Sequence, residues 1–168
     1  MIPEASYFFS VAAVSVTLAG FSGLVAAFRR GDQLRAVEVF HLRGIAETGL
    51  ANALIALLTI PVATLAGDLR TAIPVMAAVV VAYVLAQIAV FGLRGRRMSV
   101  HAGVAQAVGA IAIDLVVIAL AVVTVVVRAS GAYEALLLLL LARPMWDFVR
   151  VLRDMAGPDV PDGTKQSK

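Results

Sequence analysis

The chain has 168 residues, 61% hydrophobic and 15% charged, with a mean hydropathy of +0.95; an ordinary soluble domain carries more charge and fewer apolar residues, so that class is excluded. The net charge of +3 is held in clusters between apolar blocks rather than on one face of a domain, which excludes a nucleic-acid footprint. There is no cysteine, so disulfides, thiolate metal sites and a cysteine nucleophile are excluded too.

Five apolar blocks follow in chain order, each near or above the roughly 18 residues needed to cross a bilayer. The first is 6–28, closed by Arg29 and Arg30. Its approach, "MIPEASYFFSVAAV", has Glu4 where a secretory signal has basic residues, and no small-x-small cleavage site precedes a polar region. The block is expected to be a retained span. Counted at helical spacing, Val11, Val14, Leu18, Phe21, Val25 and Phe28 form a bulky stripe. The remaining side is small and hydroxylated, with Ser15, Thr17, Ala19, Gly20, Ser22 and Gly23. Such a surface lets helix backbones approach closely in lipid; alternatively it lines a pore, its hydroxyls facing water. The expected neighbour is the helix bearing the polar stripe of the fourth block.

"DQLRAVEVFHLRG" is expected to run as a helix continuous with the second block, 45–66, since nothing from Gln33 to Leu42 breaks it. His41, Thr48, Asn52 and Thr59 share a face there, and Arg43 and Glu47 are spaced to pair at i,i+4. The third block, 71–93, has Pro74 in its first turn, where proline is tolerated, and places Tyr83 and Gln87 on one face.

The fourth block, 102–127, carries Asp114 about twelve residues in, about 18 Å along the helix and close to mid-bilayer. Asp114 shares a small, polar stripe with Gln106, Ala110, Ala121 and Thr124. Ionisable residues at such depth are rare and face the bundle interior.

The fifth block, 132–152, is energetically balanced. Six consecutive leucines, Leu136–Leu141, each favour insertion by roughly 0.3–0.6 kcal/mol, while Arg143 and Asp147 each cost roughly 2.5–3.5 kcal/mol at the bilayer centre. It should insert only with partners for its charges; the alternative is four spans and a C-terminal interfacial helix. Pro144 lacks an N–H, which frees the Leu140 carbonyl. Residues 157–168, "GPDVPDGTKQSK", are Pro/Gly-rich and polar and are expected to form a disordered cytoplasmic tail after a single bundle, 1–156.

Five spans put Arg29, Arg30, Arg35 and Arg43, then Arg94, Arg96 and Arg97, then Arg150, Arg153, Lys165 and Lys168 on one side. The other side holds Arg70 and Arg128 in short turns. The positive-inside bias then sets the N-terminus outside and the C-terminus in the cytoplasm of a bacterial inner membrane.

The candidate intramembrane polar site is Asp114, Arg143, Asp147, Gln106, Gln87, Asn52 and Glu47. Asp114 and Arg143 either neutralise each other, a structural role, or Asp114 titrates and carries a proton or a cation. Glu38-x-x-His41 matches half of a carboxylate-bridged di-iron site, but the second Glu-x-x-His such a site needs is missing. No Walker A loop, G-x-S-x-G elbow, dinucleotide-binding glycine fingerprint or zinc-protease motif occurs. The expectation is therefore an all-α polytopic membrane protein without catalytic residues, metal or cofactor. It would be a non-enzymatic component of a membrane assembly, as a homo-oligomer or with a membrane protein partner. The alternatives are an oligomeric ion channel or a proton-coupled small-solute transporter using Asp114 and Arg143, and, last, a membrane enzyme using Asp114 or the pair His41 and Glu47.

Overall fold

A computed structural model of the chain describes residues 4–28, 36–97 and 104–155. The expected tail 157–168 and the arginines at 29, 30 and 35 lie outside the described residues. Within them the chain is all-helical: α1 Ala5–Phe28, α2 Ala36–Ala66, α3 Leu69–Arg97, α4 Val104–Val127 and α5 Ser130–Met155. The first four are long and apolar enough to cross a membrane. The fold is that of a helical membrane protein.

From Ala36 on, the expected helix ahead of the second block is present as the first turns of α2; residues 33–35 lie outside the described residues. α3 runs on through Arg94, Arg96 and Arg97, beyond the expected end of the third block at Leu93. No proline stands between Pro74 and Arg97, and arginine is a good helix former, so nothing stops the helix at Leu93.

The turns are set by short-range chemistry. Gly67 closes α2 with φ +86°, a left-handed conformation that glycine adopts without strain. Asp68 then caps α3, its Oδ1 accepting the Thr71 N–H at 2.6 Å. Thr71's backbone N–H and hydroxyl, with the charge of Arg70 behind them, hold the Asp68 carboxyl below the usual carboxylate range. At the end of α4, Arg128 takes φ +52° and its N–H bonds the Thr124 carbonyl at 2.9 Å, so a non-glycine residue makes the left-handed cap there.

α1 packs principally on α2. Its buried residues are Phe8, Val11, Ala12, Ser15, Ala19 and Ser22. Gly49 of α2 makes the contact possible: a Cβ there would lie 2.7 Å from the Ser15 carbonyl oxygen and 3.2 Å from Ala19 Cβ. In lipid there is no hydrophobic drive between helices, so backbones are brought together by small residues of this kind. The expectation that α1 meets the polar stripe of α4 is corrected by this contact, because α2 offers the small residue that α1's own small residues can reach.

α5 carries Glu134, Arg143, Asp147, Arg150, Arg153 and Asp154 and is not among the four most apolar helices. It nonetheless packs against all of the others. At its start Tyr133 is fully buried against Phe8, ring centroids 6.1 Å apart, and donates to Thr59 Oγ1 at 2.8 Å. Thr59 in turn donates to the Ile55 carbonyl at 3.0 Å. Tyr7 donates to the Glu134 carbonyl at 2.7 Å. Leu136, Leu137, Leu140 and Leu141 enter the main apolar core with Ile73, Met76 and Val80 of α3. At the far end Val151 joins Leu42 and Ile45 in a smaller cluster, flanked by Val25 and Phe148. α5 therefore runs alongside α1 and α2 from one end of the bundle to the arginine-rich other, rather than across its surface.

Candidate functional site

The buried stripe of α4 is Asp114, Val117, Ala121 and Thr124, one residue every three or four, which aims the Asp114 carboxylate inward. Opposite it on α5, just after the leucine run, lies Arg143. Arg143 Nη1 donates to Asp114 Oδ2, and both side chains are largely withdrawn from the surface. This is the ion pair that joins α4 to α5. A buried carboxylate or guanidinium without its partner would be strongly unfavourable, so each makes the other tolerable.

Asn52 of α2 supplies a second tie to α5. Its Nδ2 donates to the Leu140 carbonyl at 3.0 Å. That carbonyl is free because residue 144 is proline and has no N–H to offer it. The proline defect in α5 is thus answered by a side chain from α2. The third tie joins α2 to α3: Gln87 Nε2 donates to Thr48 Oγ1 at 2.8 Å, and Thr48 donates to the Gly44 carbonyl at 2.7 Å.

These groups converge. Thr48, Tyr83, Gln87, Asp114 and Arg143 line one small cavity of about 10 Å³ with apolar neighbours Val117 and Leu140. Tyr83 Oη is buried beside the Thr48 hydroxyl without completing a hydrogen bond of ordinary geometry, and Asn52 Oδ1 is likewise buried without one. On the outward side of Tyr83 and Gln87 a crevice of about 180 Å³ opens between α2 and α3, bounded also by Glu47, Ala86 and Val90. Glu47 Oε1 accepts from Arg43 Nε at 2.7 Å, the i,i+4 pair the spacing implies. Asp147 lies one turn beyond Arg143 on α5, half-buried, in electrostatic range of Arg143, His41 and Arg150. A larger cavity of about 870 Å³ sits at the opposite end of the bundle between Glu4, Phe9, Ile60 and Asp68; none of the candidate polar residues lines it.

Of the residues singled out by sequence, the structure brings together Asp114, Arg143 and Gln87 around one cavity. It sets Asn52 and Asp147 on the adjoining turns and Glu47 at the crevice. The side chain of Gln106 lies outside the described residues. The α1 set divides. Ser15, Ala19 and Ser22 are buried, and the two serines donate to the Val11 and Ala19 carbonyls of their own helix at 2.8 and 2.7 Å. Thr17, Gly20 and Gly23 are exposed, and a Cβ on either glycine would meet nothing within 4 Å. Three participants are not marked for their roles by sequence: Thr48 as the acceptor for Gln87, Tyr83 as the wall between cavity and crevice, and Gly49. Only the helical spacing of Tyr83 with Gln87, and of Thr48 with Asn52, carries a signal for the first two. Among the described residues no three His, Asp or Glu side chains converge as a metal site would require.

No protein-family model matches this chain, and no curated protein or solved structure matches it significantly.

Proposed function

We propose that the chain is a non-enzymatic component of a membrane assembly in the bacterial inner membrane, with the N-terminus outside, the C-terminus in the cytoplasm and α5 as a fifth span. The observation that carries this reading is the Asp114–Arg143 pair. The two charges are directed at each other, joining α4 to α5, and the cavity they share is only about 10 Å³. A conducting path needs pore-lining groups open to water along its length. The buried hydroxyls of Ser15, Ser22 and Thr48 instead bond carbonyls of their own helices. The assembly is one of two kinds, copies of this chain or a second membrane protein.

The second reading, proton-coupled transport through Asp114, draws on the crevice beside Tyr83 and Gln87. Purified protein in sealed liposomes separates the two. A component without transport activity leaves proton and small-cation flux at the level of empty liposomes across a range of pH. Flux above that level which Asp114→Asn abolishes would replace the first reading with the second.

A further inference from the structure

The crevice between α2 and α3 and the small cavity at the ion pair share two walls, Tyr83 and Gln87. Val90 stands at the crevice's arginine-rich end, and Tyr83 lies seven residues back, about 10 Å deeper along the helix. The chemistry changes along that distance. The outer part is edged by Glu47 and by the exposed Ala86 and Val90. The inner part sets Thr48, Gln87, Asp114, Arg143 and the buried Tyr83 hydroxyl, which completes no hydrogen bond of ordinary geometry, among apolar Val84, Ile113, Val117 and Leu140. A buried water needs room for about one probe sphere, roughly 10–15 Å³, and two to four polar partners. The cavity is about 10 Å³ and offers that many. Beyond the pair the path ends: Val117 and Ala121 of α4 pack with Leu136, Leu137 and Tyr133 of α5 in the apolar core.

We propose that the α2–α3 crevice is a hydrated, dead-ended inlet through which water reaches Tyr83 and the Asp114–Arg143 pair from the arginine-rich end of the bundle. One water molecule in the inner cavity accepts from Tyr83 Oη and donates to the Asp114 carboxylate, satisfying the orphaned hydroxyl. The inlet gives the ion pair access to water from one side and none from the other. It therefore requires no flux across the membrane, and its test is independent of the liposome measurement.

The chain has no native cysteine, so a single introduced thiol reports alone. The probe is a small charged methanethiosulfonate applied to open membrane sheets carrying the full chain. The thiolate, which forms in water and not in lipid, attacks the reagent's thiosulfonate S–S bond, giving a mixed disulfide and releasing methanesulfinate. Ala86→Cys and Val90→Cys line the crevice, whereas Leu85→Cys and Ile88→Cys stand exposed at similar depth on another face of α3. The crevice pair is expected to react faster than the other pair by about tenfold or more, and Gln87→Cys, on the wall of the inner cavity, is expected to react measurably. Equal rates at Ala86, Val90, Leu85 and Ile88, or no reaction at any of them, overturn the inlet. Reaction at Ala86→Cys and Val90→Cys without reaction at Gln87→Cys overturns it as well, since the crevice would then be wet but closed to the pair. All five variants are checked for wild-type elution in detergent. Serine variants at the same positions, treated identically, account for any thiol-independent labelling.

Discussion

Asp114 and Arg143 show how one residue's cost becomes another's function. Each is costly inside a bilayer, and each is made tolerable by the other across the α4–α5 contact. Replacing Asp114 takes from Arg143 the carboxylate it bonds, and breaking one side of a buried pair of this kind costs about 3–5 kcal/mol. Asp114→Asn should therefore unfold at lower temperature or lower denaturing-detergent fraction than the native chain. The double variant Asp114→Leu with Arg143→Met removes both charges and should regain most of that loss, because well-packed apolar replacements of a buried pair are near neutral. Thermal unfolding in a mild detergent measures both. A double variant no better than Asp114→Asn alone would mean that the pair has a role other than mutual neutralisation. Asn52 is argued the same way, through the Leu140 carbonyl it serves. Asn52→Leu should cost about 1–2 kcal/mol, the range for interhelical hydrogen bonds in model membrane peptides. Pro144→Ala added to it should recover part of the loss, since an alanine at that position restores the helix's own donor to the Leu140 carbonyl.

Among the helices, close approach is decided by single small residues rather than by overall amphipathicity. α1 rests on α2 at Gly49, where an added Cβ would meet the Ser15 backbone at 2.7 Å. Backbone cannot swing aside as a side chain can, so Gly49→Ala should push the two helices apart and lower thermal stability in detergent. Ala19→Leu should do so more strongly, because Ala19 is buried in the same contact. Gly20→Ala and Gly23→Ala are the controls: nothing lies within 4 Å of the new methyl, and alanine is the better helix former by about 0.8–1.0 kcal/mol. Both should match or exceed the native chain. A loss at Gly20 or Gly23 in the membrane, with none in dispersed monomer, would locate a contact between chains on that side of α1.

The whole molecule is organised by its two ends. One end gathers aromatic and hydroxyl contacts among α1, α2 and α5, from Tyr7 and Phe8 to Thr59 and Tyr133. The other is the arginine-rich end, where Leu42, Ile45 and Val151 close the bundle. α5 is not among the four most apolar helices, yet it touches all four of them. Topology reporters test the membrane reading of that arrangement. A reporter active only in the cytoplasm, fused after Met155, should be active, and the same reporter fused in the Gly67–Asp68 turn should be silent. Activity at both positions would reject the five-span arrangement.

Much of the fold was legible in the residues themselves. Five long apolar blocks force helices, because a backbone in lipid must bond within its own segment. The inward face of Asp114, the position of Arg143 and the carbonyl freed by Pro144 follow from counting along those helices. What counting cannot give is which helix stands beside which. In water, burial of an apolar stripe sets a helix's orientation, but here α1 to α4 are apolar over most of their spans, and lipid is as good a neighbour as leucine. Small residues and hydrogen bonds make that choice, and they act only at contact. Hence Gly49, and not the α4 stripe, received α1, and Asn52 of α2 met the Leu140 carbonyl. Composition and spacing were enough to dictate an all-helical membrane chain with costly charges inside it. Which partners make those charges tolerable was settled by the packing of one helix on another.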